Sequence, residues 1–160
     1  LLNESVVIKD MRTIIETLSD ECGKTQDPEV LTSMVRPKLG RMIIQNIVDA
    51  DSTLEVMTLD PELEQILHNV IQQNQGNQEI ILEPGLSEAL FKAIKDNTKE
   101  IEEMGQPAVL VVSPGVRPWL SKTLKHRTPD LTVLSYVEIP EDQAVKVIKT
   151  VAINLKGETK

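Results

Sequence analysis

The sequence predicts an α/β fold (α+β overall), a short helical segment followed by a small α/β domain containing a βαβ unit. Three features carry this expectation. Apolar residues recur at spacings of three and four between Ile8 and Ile47. The run Ala108-Val109-Leu110-Val111-Val112 is continuously apolar, as a strand covered on both faces would be. A helical pattern then links that run to a second β-type run, Leu131-Thr132-Val133-Leu134.

Taken in order, Ile8, Met11, Ile14, Ile15, Leu18 and Cys22 form the stripe of a first helix, which Gly23 ends. Asp27-Pro28 supplies an N-cap and a proline at the first helical position. From there Val30, Leu31, Met34, Val35, Leu39, Met42, Ile43 and Ile47 continue one face of a second helix. Pro37 deletes the backbone bond to the Ser33 carbonyl, which predicts a kink or a helix broken in two. Both apolar faces are too wide for a helix pair to bury. Residues 1–50 are therefore expected to pack on the α/β part, to pack on a second copy, or to stay mobile. Polar residues from Asp49 to Thr53 mark a boundary, giving a helical subdomain over 1–51, an α/β subdomain over 52–154 and a disordered tail over 155–160.

Leu54-Glu55-Val56-Met57-Thr58-Leu59 reads as a strand, and Asp60-Pro61 opens a helix through Leu63, Ile66, Leu67, Val70 and Ile71. That helix ends before a turn at Asn74-Gln75-Gly76-Asn77, and Glu79 to Leu82 is a short strand or an extended entry. Pro84 opens a longer helix that Gly105 stops, with Pro107 just beyond. Ser113-Pro114 is the expected start of the helix carrying Val116, Trp119, Leu120 and Leu124, with Ser113 as its cap. Short links on both sides make the flanking strands parallel. After a turn at Ile139-Pro140-Glu141-Asp142, the residues Val145, Val147, Ile148 and Val151 form a last strand, whose Lys146 and Lys149 suit a sheet edge.

Composition narrows the function. Aromatic residues are only 2% of the chain, which argues against stacking bases or sugars. The net charge of −8 repels phosphate backbones, so protein partners are expected and nucleic acid is not. No run approaches the ~18 apolar residues that would span a bilayer, and no basic and apolar leader follows Leu1. This fragment is expected to make no membrane contact. The opening Leu1-Leu2-Asn3-Glu4-Ser5 has no initiator Met, which predicts a piece of a larger protein. Cys22 is the single cysteine, so no intrachain disulfide can form, and its place in the helical stripe predicts burial.

No catalytic, cofactor or metal residues are expected. His68 and His126 are each solitary, without ligand-spaced partners, and no nucleophile sits in a triad-like setting. The best enzyme-like signal is Val112-Ser113-Pro114-Gly115-Val116-Arg117, between a buried strand and a helix start, where α/β folds bind phosphate. Pro114 offers no N–H, and neither the Walker nor the dinucleotide spacing is present, so a cap and turn account for the segment. The alternative function is a regulatory or enzymatic α/β domain that binds phosphate or another small ligand at the Ser113 helix N-terminus.

The string Ile8-Lys9-Asp10-Met11-Arg12-Thr13-Ile14-Ile15-Glu16-Thr17-Leu18 resembles a hallmark of the large export-gate proteins shared by flagellar and virulence type III secretion systems. Collinear with that family follow Val35-Arg36, Leu39-Gly40-Arg41, Leu59-Asp60-Pro61-Glu62-Leu63-Glu64 and Leu82-Glu83-Pro84-Gly85-Leu86. Arg117-Pro118-Trp119-Leu120, Val133-Leu134-Ser135-Tyr136 and Glu138-Ile139-Pro140 complete the series, and Pro37 departs from the family's pattern. The resemblance implies the later half of the helical third subdomain and the α/β fourth subdomain of a cytoplasmic domain, in a parent anchored in the bacterial inner membrane upstream. It implies a docking platform without an active site of its own, flagellar rather than virulence-associated. Its implied partners are export substrates with their chaperones, ATPase-complex components and neighbouring copies in a ring. Arg12, Glu16, Arg36 and Arg41 are the candidate protein-binding residues, expected to face a neighbouring subunit. The simpler role of Arg12 and Glu16 is an i,i+4 pair that supports its own helix by about 0.2–0.5 kcal/mol.

Overall fold

The computed structural model describes residues 1–74 and 80–153. The expected turn beyond Asn74 and the tail over 155–160 lie outside the described residues, and of the segment expected from Glu79 to Leu82 as a short strand or an extended entry, residues 80–82 are described and form no strand. The elements are α1 (Met11–Glu21), α2 (Pro28–Lys38), α3 (Gly40–Gln45), β1 (Leu54–Leu59), α4 (Pro61–Gln73), α5 (Pro84–Glu103), β2 (Val109–Val112), α6 (Arg117–Leu124), β3 (Thr132–Ser135) and β4 (Val145–Val151). Short 3₁₀ turns occur at Leu2–Glu4 and Tyr136–Glu138.

The four strands lie in the order β3-β2-β1-β4, and every pairing is parallel. The expected βαβ unit is β2-α6-β3, with Val109 opposite Thr132 and Val112 opposite Ser135. Alternation along the strands sends side chains to two separate cores. Leu54, Val56, Val109, Val111 and Leu134 meet Ile14, Val35, Leu39, Ile43 and Ile44 from the first three helices. Met57, Leu59, Leu110, Val112 and Val133 meet Leu63 and Leu67 of α4, Leu90 and Ile94 of α5, and Leu120 and Leu124 of α6. The sheet is therefore the middle of three layers. Of the three outcomes open to residues 1–50, packing on the sheet is the one observed.

Helix boundaries follow the capping chemistry. Asp60 Oδ1 accepts from the Glu62 N–H at 3.0 Å and opens α4, and Asp27 Oδ1 accepts from the Glu29 N–H at 2.8 Å and opens α2. Gly105 adopts φ 76° just after α5, a conformation that glycine takes without strain. The first helix starts at Met11 rather than Ile8, because Asp10 caps it: its Oδ1 accepts from the Thr13 N–H at 3.0 Å. The second helix breaks after Lys38, one residue beyond Pro37, and resumes as α3, which ends at Gln45 short of Ile47.

Gly40, at the restart, cannot carry a side chain. A Cβ there would lie 1.9 Å from the Glu138 carbonyl oxygen, so α3 is pressed directly onto the Tyr136–Glu138 turn. Cys22, expected in the core, is exposed. The reason is that α1 has already ended at Glu21, and of its stripe only Ile14 is buried. At the sheet edge, β4 leaves Lys146 exposed and pairs Lys149 with Glu100 of α5.

Candidate functional site

The four charged residues singled out from the sequence occupy two environments. On α1, Arg12 Nε donates to Glu16 Oε1 at 2.8 Å, and both side chains are exposed. Met11 and Ile15, one residue back from each, are 48% and 55% exposed. An apolar pair and an ion pair thus lie as neighbouring i,i+4 stripes on the outside of the layer. On α3, Arg41 Nη2 donates to Asp142 Oδ2 at 2.9 Å, also at the surface, and this pair holds Asp142 below the usual carboxylate range. Arg36 is different. It is 2% exposed, and its guanidinium is used inside the chain.

That use is a closed ring of four charges. Arg36 donates through Nη2 and Nε to Glu138 Oε2 at 2.8 and 3.1 Å, and through Nη1 to Glu4 Oε2 at 2.7 Å. Arg117 Nη2 donates to Glu4 Oε1 at 2.9 Å, and its Nε lies 3.4 Å from Glu138 Oε1. Ser135 Oγ donates to the same Glu138 oxygen at 2.9 Å. Two cations and two anions cancel, which is how interior charges are tolerated. Burial alone would raise the Glu4 pKa, but the hydrogen bond and charge of Arg117, together with the Arg36 charge, hold it below its ordinary value. The ring ties the Leu2–Glu4 turn, α2, α6 and the Tyr136–Glu138 turn into one unit. Sequence spacing could not reveal it, since Arg36 and Glu138 are 102 residues apart. The available signal was an arginine between Val35 and Pro37 and a glutamate between Val137 and Ile139, each set among apolar or helix-breaking neighbours.

The Ser113 segment is not a helix cap. The residue before α6 is Val116, and Pro118 takes the second helical position, so Ser113 to Gly115 form a turn ahead of the helix. The Ser113 N–H donates to Glu64 Oε1 at 2.5 Å, and Tyr136 Oη donates to the two Glu64 oxygens at 2.9 and 2.7 Å. A carboxylate from α4 therefore stands where a phosphate would have to sit, and would repel it. Ser113 Oγ is buried without a hydrogen-bond partner among the described residues. Ser113→Ala should accordingly change stability by less than about 0.5 kcal/mol in a thermal melt. A loss of about 0.5–2 kcal/mol would restore the capping role.

Burial and the Glu64 carboxylate push the Tyr136 phenol up from 10.0 to about 12. Tyr136 is the single tyrosine, so absorbance titration of tyrosinate reads it alone. A midpoint near 12 is expected, falling toward 10.0 in Glu64→Gln. Because the folded pKa is raised, the stability tied to this proton is complete below pH 10.0 and is lost as pH rises through about 12.

His68 lies against Gly115, where a Cβ would approach its ring to 3.2 Å, and His126 is exposed beyond the end of α6. Among the described residues, no group of three or more His, Cys, Asp and Glu could hold a metal ion. Also among them, no helix is long and apolar enough to cross a membrane.

Charge used for internal cohesion, on a parallel sheet covered by helices on both faces, defines an α/β module. The chain belongs to the FHIPEP family, whose model matches residues 1–144. It is 39% identical over 147 residues to the flagellar biosynthesis protein FlhA of Buchnera aphidicola, covering 92% of this chain and 20% of that protein. The chain thus spans about a fifth of the length of the curated relatives it matches. Among solved structures, the Chlamydia pneumoniae CdsV protein superposes with a TM-score of 0.83 at 30% identity, over 95% of this chain and 43% of that one. CdsV is also known in complex with CdsO. The nonameric EscV cytosolic domain from the type III secretion system superposes with a TM-score of 0.70 at 27% identity, over 94% of this chain and 44% of that one. The family is the one that the collinear strings resemble.

Proposed function

We propose that the chain is part of the cytoplasmic docking platform of a type III protein export gate, the flagellar one, and joins neighbouring copies of itself in a ring. In this reading its parent is anchored upstream at the bacterial inner membrane. The platform receives export substrates, chaperones and ATPase-complex components, and this part of it performs no catalysis. The observation that carries the reading is the exposed double stripe of α1, Met11 and Ile15 beside Arg12 and Glu16, on a chain that aligns over most of its length with a domain seen as a nonamer. Covering Met11 and Ile15, each already about half buried, would contribute about half of the ~1.5–3 kcal/mol that full burial of such a side chain supplies, and the ion pair beside them would set orientation. Arg41, on α3, is the third exposed charge assigned to contact. Arg36, enclosed in the ring of charges, serves the fold that presents them.

The test is Arg12→Glu combined with Arg41→Glu in the full-length parent protein. Both positions are exposed, so the melting temperature should stay within about the equivalent of 0.5 kcal/mol per site. Secretion and ring assembly should fall. Normal assembly and secretion from the double variant would remove these charges from the interface.

A further inference from the structure

Along α5, Pro84, Ser87, Glu88, Phe91, Lys92 and Lys95 recur at spacings of three and four and form one stripe of the helix. That stripe is one wall of an open groove of about 690 Å³, and Arg127, in the turn after α6, is the other. Phe91, only 9% exposed, is its apolar floor, and the Arg127 guanidinium stacks on the ring 4.5 Å from its centroid. Stacking uses the flat face of the guanidinium and leaves its charge and in-plane N–H donors for a partner. None of Lys92, Lys95 and Arg127 has an ion pair among the described residues, whereas the nearby Lys99, Lys122 and Lys149 are held by Glu103, Glu29 and Glu100. The groove thus sets three cations against one anion, Glu88, in a chain of net charge −8.

We propose that this groove docks an acidic segment of a partner protein, whose Asp and Glu side chains meet Arg127, Lys92 and Lys95 while its apolar side chains lie on Phe91, Pro84 and the lysine stems. The openness of the groove decides the kind of occupant. Each exposed ion pair contributes little against water, so a small free anion is not retained, whereas a polypeptide makes several pairs at once and covers apolar surface besides. A long polyanion such as nucleic acid is repelled by the rest of the chain. The helix α5 lies in the layer opposite α1, so this face is separate from the contact assigned to Arg12 and Glu16 and does not depend on it.

The experiment titrates the full 160-residue chain with a short peptide alternating Glu and Leu, with the same peptide carrying Gln in place of Glu, and with inorganic phosphate, following backbone amide shifts. Saturable shifts at residues 84–95 and 127 are expected from the Glu peptide alone, and they should weaken as salt is added. Lys92→Glu combined with Lys95→Glu should lower its affinity by at least about tenfold. The melting temperature should not change, since both positions are exposed. Arg127→Lys, which keeps the charge but loses the flat fork, should lower the affinity as well, and the exposed Lys146→Glu on β4 should leave it unchanged. Equal binding of the Gln peptide, saturation by phosphate, no saturation by the Glu peptide, or undiminished binding to the doubly reversed variant would each overturn the proposal. Shifts at the same residues on raising the protein concentration without peptide would assign the face to a second copy and overturn it too.

Discussion

Val111→Asp is expected to prevent folding. Val111 sits in β2, paired with β1 on one side and β3 on the other, and its side chain enters the core formed with α1, α2 and α3. An aspartate there has no cation or donor designed to meet it, since the nearby charges are committed to the ring around Glu138. It would take up a proton rather than stay ionised, and the unpaired neutral carboxyl still costs about 2–7 kcal/mol. Loss of the valine's burial adds about 1.5–3 kcal/mol. Together these match the ~5–15 kcal/mol that holds a domain of this size. Val145→Asp is the contrasting change, because Val145 is exposed at the start of the edge strand β4. Far-ultraviolet dichroism and amide dispersion should report an unfolded or insoluble Val111→Asp and a folded Val145→Asp. A Val111→Asp protein that melts within a few degrees of the parent would mean that this face of the sheet is not covered by the first three helices.

The parts of the fold that were legible are those written in contiguous residues. The apolar run over 108–112 and the β-type run over 131–134 announce a covered parallel pair, the Asp-Pro pairs at Asp27 and Asp60 announce helix starts, and Pro37 announces the break before α3. What was not legible depends on partners far away in the chain. Ser113 looked like a cap because serine before a helix usually caps, yet its N–H is turned to Glu64, which lies 49 residues earlier. Cys22 looked buried because helical periodicity continues past the end of the helix on paper, while the turn after Glu21 decides where the helix stops. Arg36 was grouped with Arg12 and Arg41 by charge and position, and only the return of the chain at Glu138 turns it inward. Of the proposed contact residues, Arg12, Glu16 and Arg41 could be found as exposed charges, but the apolar stripe that gives Arg12 and Glu16 their setting was read as core.

The ring of charges makes a second large expectation. Glu138→Ala should destabilise the chain by about 3–5 kcal/mol, because it leaves two buried guanidinium groups to share the single carboxylate of Glu4. Removing Arg36 along with it should restore much of the loss. In Arg36→Met with Glu138→Leu, the remaining Arg117 and Glu4 still neutralise one another at 2.9 Å, and apolar side chains fill the vacated volume. The single changes Arg36→Met and Glu138→Leu should therefore cost more in sum than the double variant, with an interaction energy of about 0.5–3 kcal/mol. Chemical denaturation of the parent, both single variants and the double variant closes this cycle. Additive losses would show that Arg36 and Glu138 act independently and would dissolve the ring as an energetic unit. If the coupling is found, the ring explains why Gly40 must lack a side chain, since any Cβ there would push away the Glu138 backbone on which three of the ring's four pairings depend directly or through Arg36.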